Sequence, residues 1–280
     1  RFGTTSIRSN YEFITVDYPK PHVAHVQLNR PDKRNALNRK FWLEIGQCFA
    51  RLAETSECRS IVLSGAGKCF CSGLDLNEAM GLAQIIGGSE QDTARKAYVL
   101  RETIKKFQNA FTMIEKICQL FFFLILPNHA CPKPVIAAIH GLCIGGATGM
   151  ITAADIRYTS IDTIFQIKEI DLGIAADVGQ LQRLPKIMGN ESLSRELCFT
   201  GRMFTGEEAF KVGLVSRIFQ SSDDLKMASI ELAEIIAGKS PVAMQGIKVN
   251  LNYARDHPVE DSLEYAMHKN ASTHRKLLIK

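Results

Sequence analysis

The stretch HGLCIGGATGM, residues 140–150, holds four glycines within eleven residues and follows the apolar run KPVIAAI. Glycine at this density indicates a backbone that approaches another group closely, or turns where a side chain would clash. The apolar run before it is typical of a buried strand. The stretch contains one thiol, that of Cys143, and no carboxylate. Acid–base chemistry at a site built on this backbone would therefore come from elsewhere in the chain.

Strand-like and helix-like patterns alternate around this stretch. Five runs are short and apolar, or alternate apolar with polar residues, as strands do: 22–30, 60–67, 133–141, 155–160 and 163–167. The segment 37–55 has a helical stripe of apolar residues, namely Trp42, Ile45, Phe49 and Leu52. The alternation of strands and helices predicts an α/β fold.

The last third of the chain reads as helical. Thr205 precedes Glu208 by three residues, which is the spacing of a capping box at a helix start. Further helical patterns cover three segments: 222–238, 241–255 and 258–277. We therefore predict a core over residues 11–200 and a helical C-terminal region over residues 201–280.

Composition excludes several classes of function. The 280 residues carry a net charge of +5, which suits an anionic ligand such as a phosphate but is too weak to indicate nucleic-acid binding. The eight cysteines lie in or beside apolar runs, which favours reduced thiols in an intracellular compartment. Cys69 and Cys71 form a C-x-C pair, but no second pair stands at ligand spacing, so we expect no metal site.

Two segments do not fit a compact core. Residues 1–10 contain two arginines and no acid, which is typical of either a transit-peptide remnant or a disordered tail. Residues 117–130 form a hydrophobic insert that is too short to span a bilayer, which takes about 20 residues. Two hypotheses account for it, a true insertion or a translated intron from a gene-model error, and sequencing the transcript separates them.

Basic residues mark a candidate anion site. Lys33 and Arg34 lie where a loop feeds a helix start, and Lys68 lies in the glycine-rich loop of SGAGKCFCSGLDL, residues 64–76. Such a position suits a phosphate, although a solvated charged turn has the same pattern. Neither nucleotide-binding glycine motif is present in this loop.

Three carboxylates lie among apolar residues further along, at Glu169, Asp171 and Asp177. A carboxyl group in a dry site has a raised pKa and can act as a general acid or base near neutral pH. For Asp171, which precedes Leu-Gly, a turn-forming role is favoured. For Glu169 and Asp177 the residues alone leave both readings open.

Together these stretches resemble the crotonase (enoyl-CoA hydratase/isomerase) superfamily. Four segments in this order carry the resemblance: HVQLNRPDKRNALN, SGAGKCFCSGLDL, CPKPVIAAIHGLCIGG and AADIRYTS. It implies an α/β crotonase-like spiral of ββα units with a helical C-terminal trimerisation region. It also implies an acyl-CoA thioester substrate, no separate cofactor, no membrane span, a homotrimer or homohexamer, and a mitochondrial matrix or peroxisomal location.

The resemblance assigns roles to residues of this chain. It implies an oxyanion hole made by the backbone N–H groups of Leu74 and Gly146, which would bind the thioester carbonyl oxygen. Near the substrate and its CoA group it places six further positions: Lys33, Arg34, Ala36, Lys68, Gly73 and Asp75.

Within the superfamily, residues 165–186 are most similar to isomerases that convert 3,5-dienoyl-CoA to 2,4-dienoyl-CoA in fatty-acid β-oxidation. That similarity implies that Asp177 removes a proton from C2 and that Glu169 delivers one to C6. Asp177 distinguishes this pattern from that of a typical hydratase.

One position departs from the pattern. The family's third carboxylate falls three residues after Gly146, and this chain has Gly149 there. Two alternatives therefore stay open: a weakened or non-catalytic acyl-CoA-binding homologue, and another crotonase enzyme such as an enoyl-CoA hydratase, against which the missing acid argues. If the site is otherwise intact, we expect the substitution Gly149→Asp to raise isomerase activity.

Overall fold

Strands and helices alternate through the described residues, which in this computed structural model are 11–87, 92–115 and 133–277. The strands are β1 (Ile14–Lys20), β2 (Val23–Leu28), β3 (Ser60–Gly65), β4 (Val135–Ile139), β5 (Leu142–Ile144), β6 (Ile156–Ser160), β7 (Ile164–Gln166), β8 (Phe204–Thr205) and β9 (Arg217–Phe219). The α-helices are α1 (Arg39–Glu54), α2 (Leu76–Gly87), α3 (Thr93–Glu115), α4 (Gly146–Thr152), α5 (Gln180–Ile187), α6 (Glu191–Thr200), α7 (Gly206–Lys211), α8 (Ser222–Ala237), α9 (Pro241–Asp256) and α10 (Val259–Leu277). Two short 3-10 helices cover Pro31–Lys33 and Lys168–Leu172.

Parallel pairing dominates the main sheet, whose strand order is β1-β2-β3-β4-β6-β9. Only the β1–β2 pair in it is antiparallel, while the following pairs from β2 to β9 are parallel. Parallel neighbours require crossover connections, and α1, α3 and α4 lie within such connections. A second sheet of β5-β7-β8 includes part of the glycine-rich stretch, since β5 is Leu142–Ile144. The predicted α/β class is confirmed.

Helix α1 packs with the stripe that its sequence predicts. Asn38 caps its first turn, since the side chain accepts a hydrogen bond from the Phe41 N–H at 2.9 Å. All four stripe residues are buried in the main hydrophobic core: Trp42, Ile45, Phe49 and Leu52. Helix α8 packs on the same sheet through a separate cluster that includes Val62, Ile136 and Leu225. The sheet is thus covered by helices and buries apolar residues on both faces.

A buried lysine attaches the C-terminal helices to this core. Lys248 on α9 donates to the Lys133 carbonyl at 2.9 Å and to an Asp155 carboxylate oxygen at 2.7 Å. The same Asp155 oxygen accepts from the Val135 N–H at the start of β4. Because a buried ammonium group needs such partners, these bonds favour one position of α9 relative to the starts of β4 and β6.

The five predicted strands and the predicted helices are found, with ends shifted by a few residues. Strand β1, whose Pro19 suits an edge strand, was not predicted, and neither were the two- or three-residue strands β5, β8 and β9. The division at residue 200 stays a prediction. Residues 1–10 and the insert 117–130 lie outside the described residues.

Candidate active site

Two glycine-containing loops lie side by side at the ends of β3 and β4. The Cys71 N–H donates to the Leu142 carbonyl at 2.9 Å, and the Ile144 N–H donates to the Cys71 carbonyl at 3.1 Å. Gly73 has a φ of +89°, and a Cβ on it would lie 2.6 Å from the Ile144 carbonyl oxygen. A side chain at residue 73 would therefore separate the loops.

This contact leaves two backbone N–H groups available. The neighbours of Leu74 pair with Leu37, since the Leu37 N–H donates to the Gly73 carbonyl at 2.7 Å and the Asp75 N–H donates to the Leu37 carbonyl at 3.1 Å. Successive N–H groups of an extended segment point to opposite sides, so that of Leu74 points away from Leu37. Gly146 begins α4, where the first N–H groups have no partner within the helix. Among the described residues, neither N–H donates to a loop or turn carbonyl. These are the two donors predicted for an oxyanion hole.

Aromatic residues form the wall behind Gly146. A Cβ on Gly146 would lie 3.4 Å from Cζ2 of Trp42, whose residue is 3% exposed. The Trp42 ring contacts those of Phe107 and Phe111, at centroid distances of 4.6 and 4.5 Å. The indole therefore has little room to move, and it limits the space beside the predicted donor.

The two candidate proton carriers lie on the chain between β7 and α5, and one of them, Glu169, borders the glycine stretch. Glu169 is in the 3-10 helix Lys168–Leu172 and Asp177 in the loop before α5, and both are half-buried. The Gln108 side chain on α3 donates to the Asp177 carbonyl at 2.7 Å and holds this loop. A Cβ on Gly145 would lie 3.3 Å from Oε1 of Glu169, so the glycine backbone borders the acid directly.

The environment raises the pKa of both carboxyl groups. Burial raises the pKa of Asp177 above its ordinary value. Burial likewise raises the pKa of Glu169, and the charge of Asp177 adds to the effect. Oε2 of Glu169 is buried and has no hydrogen-bond partner among the described residues. Both pKa shifts are in the direction that a general acid or base in a dry site requires.

Gln180 is a site residue that the sequence analysis missed. It is the first residue of α5, it is 0% exposed, and its Nε2 donates to Oε1 of Glu169 at 2.6 Å and to the Gly145 carbonyl at 3.2 Å. The available signal was its spacing, three residues after Asp177 and directly after Gly179 at a helix start. This spacing is a weak signal, because it does not show that Glu169 and the Gly145 carbonyl lie next to the side chain.

Gln180 also fills the space next to Gly149. A Cβ on Gly149 would lie 2.9 Å from Oε1 of Gln180 and 3.2 Å from Cγ2 of Val178. The position of the absent acid is therefore occupied. A carboxyl group at residue 149 would need the Gln180 side chain to move, so the gain expected from Gly149→Asp depends on that movement.

The predicted CoA side lies on two linked loops. Asn35, fully buried with a φ of +55°, donates to the carbonyls of Ala66 and Cys69, each at 2.9 Å. This side chain ties the loop of Lys33 and Arg34 to the loop of Lys68, and all three cations are exposed. Asn35 is a second residue that the sequence analysis missed, since its role depends on carbonyls about 30 residues away.

The other predicted CoA-side positions are less open. Ala36 is half-buried and Gly73 is buried. Asp75 uses one carboxylate oxygen for Arg30 at 2.5 Å and the other for the Asn77 N–H at 2.9 Å. Its carboxylate thus stabilises the start of α2 and the loop before α1, and is engaged within the protein.

Other reactive side chains lie outside this site. Burial raises the pKa of the Cys143 thiol well above its ordinary value, which makes it inert. Asp171 is exposed and pairs with Lys168 at 3.0 Å, in keeping with the turn role favoured by the sequence. His25 contacts Asp17 and Ser64, each at 2.8 Å, but Ser64 is buried in β3, out of reach of a substrate.

The described residues contain no cluster of side chains able to hold a metal ion. In the same part of the chain, every helix is too short or too polar to cross a membrane.

Comparisons with known proteins agree with this geometry. The family model described as enoyl-CoA hydratase/isomerase matches residues 20–112 and 121–279. The mitochondrial Delta(3,5)-Delta(2,4)-dienoyl-CoA isomerase of Mus musculus is 51% identical over 94% of this chain and 76% of its own length. The peroxisomal enzyme of that name from Arabidopsis thaliana is 44% identical over 89% of this chain and 84% of its own. The crystal structure of a putative enoyl-CoA hydratase from Streptomyces coelicolor A3(2) has a TM-score of 0.79 and 27% identity, covering 99% of this chain and 91% of that one.

Proposed function

The chain belongs to the enoyl-CoA hydratase/isomerase family, and from this premise we propose that it converts 3,5-dienoyl-CoA to 2,4-dienoyl-CoA with Asp177 and Glu169 as proton carriers. Its close relatives are named for this isomerisation. The chain is accordingly a β-oxidation isomerase with the crotonase fold. Its relatives are named mitochondrial or peroxisomal, which gives the same two organelles for this chain.

The backbone donors stabilise the charge that forms on the thioester. When C2 loses a proton, negative charge spreads from C2 onto the carbonyl oxygen and along the conjugated chain to C4 and C6. The N–H groups of Leu74 and Gly146 would hydrogen-bond that oxygen. Removing one such donor typically costs about 3 kcal/mol in the activation barrier.

The carboxyl groups then move the protons. The Asp177 carboxylate takes the C2 proton, and the Glu169 carboxyl group gives its proton to C6. The double bonds at C3–C4 and C5–C6 become double bonds at C2–C3 and C4–C5. Afterwards Asp177 holds a proton and Glu169 is ionised, so a proton must return from Asp177 to Glu169 before the next turnover. No cofactor is required, because CoA is part of the substrate.

The observation that carries this proposal is the environment of the two carboxyl groups. Both are half-buried, burial raises the pKa of each, and the charge of Asp177 acts on Glu169. Aspartate has the lower ordinary pKa, and the charge of an ionised Asp177 raises the pKa of Glu169, which favours Asp177 as the base and Glu169 as the acid.

A hydratase is the weaker candidate. Hydration uses two carboxylates to position and activate one water, and residue 149, where the family has the second of them, is a glycine facing Gln180. A non-catalytic thioester-binding homologue is the remaining alternative, which the same glycine motivates.

One assay tests the proposal. Purified protein is incubated with 3,5-dienoyl-CoA, and the absorbance of the conjugated 2,4-dienoyl product is followed. Parallel incubation with a 2-enoyl-CoA measures hydration. We expect isomerisation and little hydration. Binding of the thioester without turnover would instead support the non-catalytic homologue.

The C-terminal helices supply a surface for the homotrimer or homohexamer that the family resemblance implies. Large apolar side chains on α9 and α10 are exposed in the single chain: Ile247, Leu251, Val259, Leu263 and Met267. An exposed apolar area of this kind is typical of a subunit interface. Sedimentation velocity of the wild type and of Leu263→Glu tests it, and a monomeric wild type would contradict it.

A further inference from the structure

The Gln180 carboxamide has a fixed orientation. Nε2 donates both of its hydrogens, one to Oε1 of Glu169 at 2.6 Å and one to the Gly145 carbonyl at 3.2 Å. Turning the amide over would place its oxygen against the Gly145 carbonyl oxygen, which repels it. The backbone of the glycine stretch therefore keeps the N–H groups of Gln180 directed towards Glu169.

We propose that Gln180 is the positioning residue for Glu169 in the isomerisation: it holds Oε1 as a hydrogen-bond acceptor, so that Oε2 is the oxygen that carries and delivers the proton. This inference rests on the proposed function of the site. It assigns a role to a residue that the family resemblance did not point to.

The partners of the two Glu169 oxygens support this division. Oε1 has the Gln180 donor, and a carboxyl oxygen that accepts an N–H bond is the one that does not bear the proton. Oε2 is buried, and no group in the part of the chain that the structure describes forms a hydrogen bond with it. A buried polar atom without a partner is costly unless it serves another group, here the reacting carbon of a bound acyl chain.

Among the described residues, Gln180 is the one side chain that donates a hydrogen bond to Glu169, and the charged groups near Glu169 do not replace it. Asp177 acts on Glu169 from the loop before α5, and Glu169 acts on the Cys198 thiol of α6. Lys168 and Asp171, on the same 3-10 helix, pair with each other at the surface. Gln180 lowers the pKa of Glu169, in opposition to burial and to Asp177.

Residues 149 and 180 compete for one volume. Oε1 of Gln180 is a buried acceptor without a partner in the described ranges, and it would lie 2.9 Å from a Cβ on residue 149. An acidic side chain at 149 and a glutamine at 180 cannot both fit without rearrangement. In this chain the neutral amide of Gln180 lies in that volume, next to Glu169. An acid at residue 149 would place a negative charge there instead.

The first test removes the donor and keeps the volume. Gln180→Met is compared with Gln166→Met, a matched control in which another buried glutamine loses its bond to the Gly201 carbonyl. Both variants are checked for folding by thermal unfolding, and kcat is measured against pH. We expect Gln180→Met to lower kcat roughly tenfold to a hundredfold, and Gln166→Met to leave it within about twofold.

The pH profile separates positioning from general loss of structure. Glu169 must be protonated to deliver its proton, so its ionisation sets the alkaline limb of kcat. Because the Gln180 bond lowers the pKa of Glu169, its loss should move that limb to higher pH. An alkaline limb that stays in place in Gln180→Met would overturn the proposal, whatever happens to the rate.

A second test does not depend on that variant. Gly149→Asp alone should displace Gln180 and lower kcat, whereas Gly149→Asp combined with Gln180→Ala should be more active than either single variant. Additive losses in the double variant would contradict a shared volume. Wild-type protein without isomerase activity would refute the proposed function. If the wild type is active but the alkaline limb of kcat stays in place in Gln180→Met, only the role of Gln180 is refuted.

Discussion

The candidate active site has a backbone half and a side-chain half. In the backbone half, N–H groups at Leu74 and Gly146 are placed by main-chain hydrogen bonds and by glycines that contact neighbouring carbonyls. In the side-chain half, Glu169 and Asp177 are placed by a short 3-10 helix, a loop and the amide of Gln180. The backbone half has no room for a side chain at Gly73. The side-chain half has the Gln180 amide next to Gly149, the position where the family resemblance implies an acid.

The difference shows how each half tolerates change. A Cβ at Gly73 meets the carbonyl of Ile144, a residue that cannot move without breaking the bond from its own N–H to the Cys71 carbonyl. A Cβ at Gly149 meets the end of a glutamine side chain, which has rotatable bonds. The backbone half is therefore sensitive to any substitution, whereas the side-chain half can be rebuilt by a paired one.

The largest effect is expected from removing the carboxyl groups of the side-chain half. Asp177→Asn should lower kcat roughly 10³-fold, because no other group takes the C2 proton. Glu169→Gln should also stop isomerisation, but should still allow exchange of the C2 proton with deuterium from the solvent. Product absorbance and mass spectrometry of the thioester measure the two steps. Asp171→Asn is the matched control, and absence of C2 exchange in Glu169→Gln would contradict the division of roles.

A somewhat smaller effect is expected in the backbone half. Gly73→Ala forces a Cβ to within 2.6 Å of the Ile144 carbonyl and strains a positive φ, so it should displace the Leu74 N–H. We expect kcat to fall roughly 10²-fold with little change in the pH profile. Gly189→Ala is the control, since a Cβ there meets nothing within 4 Å. Equal activity of the two variants would contradict the backbone assignment.

The cationic loops should affect binding more than turnover. Lys68→Glu reverses a charge on the loop that Asn35 links to Lys33 and Arg34, and should raise KM for the CoA thioester about tenfold at low salt. The value of kcat should stay near that of the wild type. Added salt should narrow the difference in KM, and Lys211→Glu, an exposed site on α7, serves as the control. A salt-independent effect would argue against phosphate contacts.

The smallest change in turnover is expected from the ion pairs of Glu115, which lie behind the side-chain half and hold α5 in place. Glu115 on α3 binds Arg183 on α5, at 2.8 and 3.1 Å, and Arg255 on α9. Burial would raise the pKa of Glu115, but the two guanidinium groups outweigh it and lower that pKa. The resulting stability is present above the ordinary glutamate pKa of about 4.3 and is lost as the pH falls below it.

Glu115→Gln should therefore lower the free energy of unfolding at pH 7 by about 3 kcal/mol, with kcat within about twofold at 25 °C. The difference in the free energy of unfolding between Glu115→Gln and the wild type should become smaller below about pH 4. Denaturant unfolding at several pH values measures it. A constant gap across this range would show that the ion pairs do not cause the difference.

The sequence predicted the backbone half better than the side-chain half, for a physical reason. A glycine is required where the main chain itself leaves no room, so the glycine density of HGLCIGGATGM indicates a close approach, whereas Gly73 was placed near the substrate by the family resemblance. Gln180 is polar, lies at a helix start and is ordinary in sequence. Its role appears only when α4 and α5 are packed together and its amide is found against Gly149 and Glu169.

The single tryptophan of the chain also gives the site an optical readout. Trp42 lies against Gly146 and is enclosed by two phenylalanine rings, so an acyl chain bound at the donor changes the surroundings of the one indole. Intrinsic emission excited near 295 nm, selective for tryptophan over the six tyrosines, would then report thioester binding directly. Titration and stopped-flow traces could follow occupancy in inactive variants, where absorbance of the product is silent, without attaching any probe.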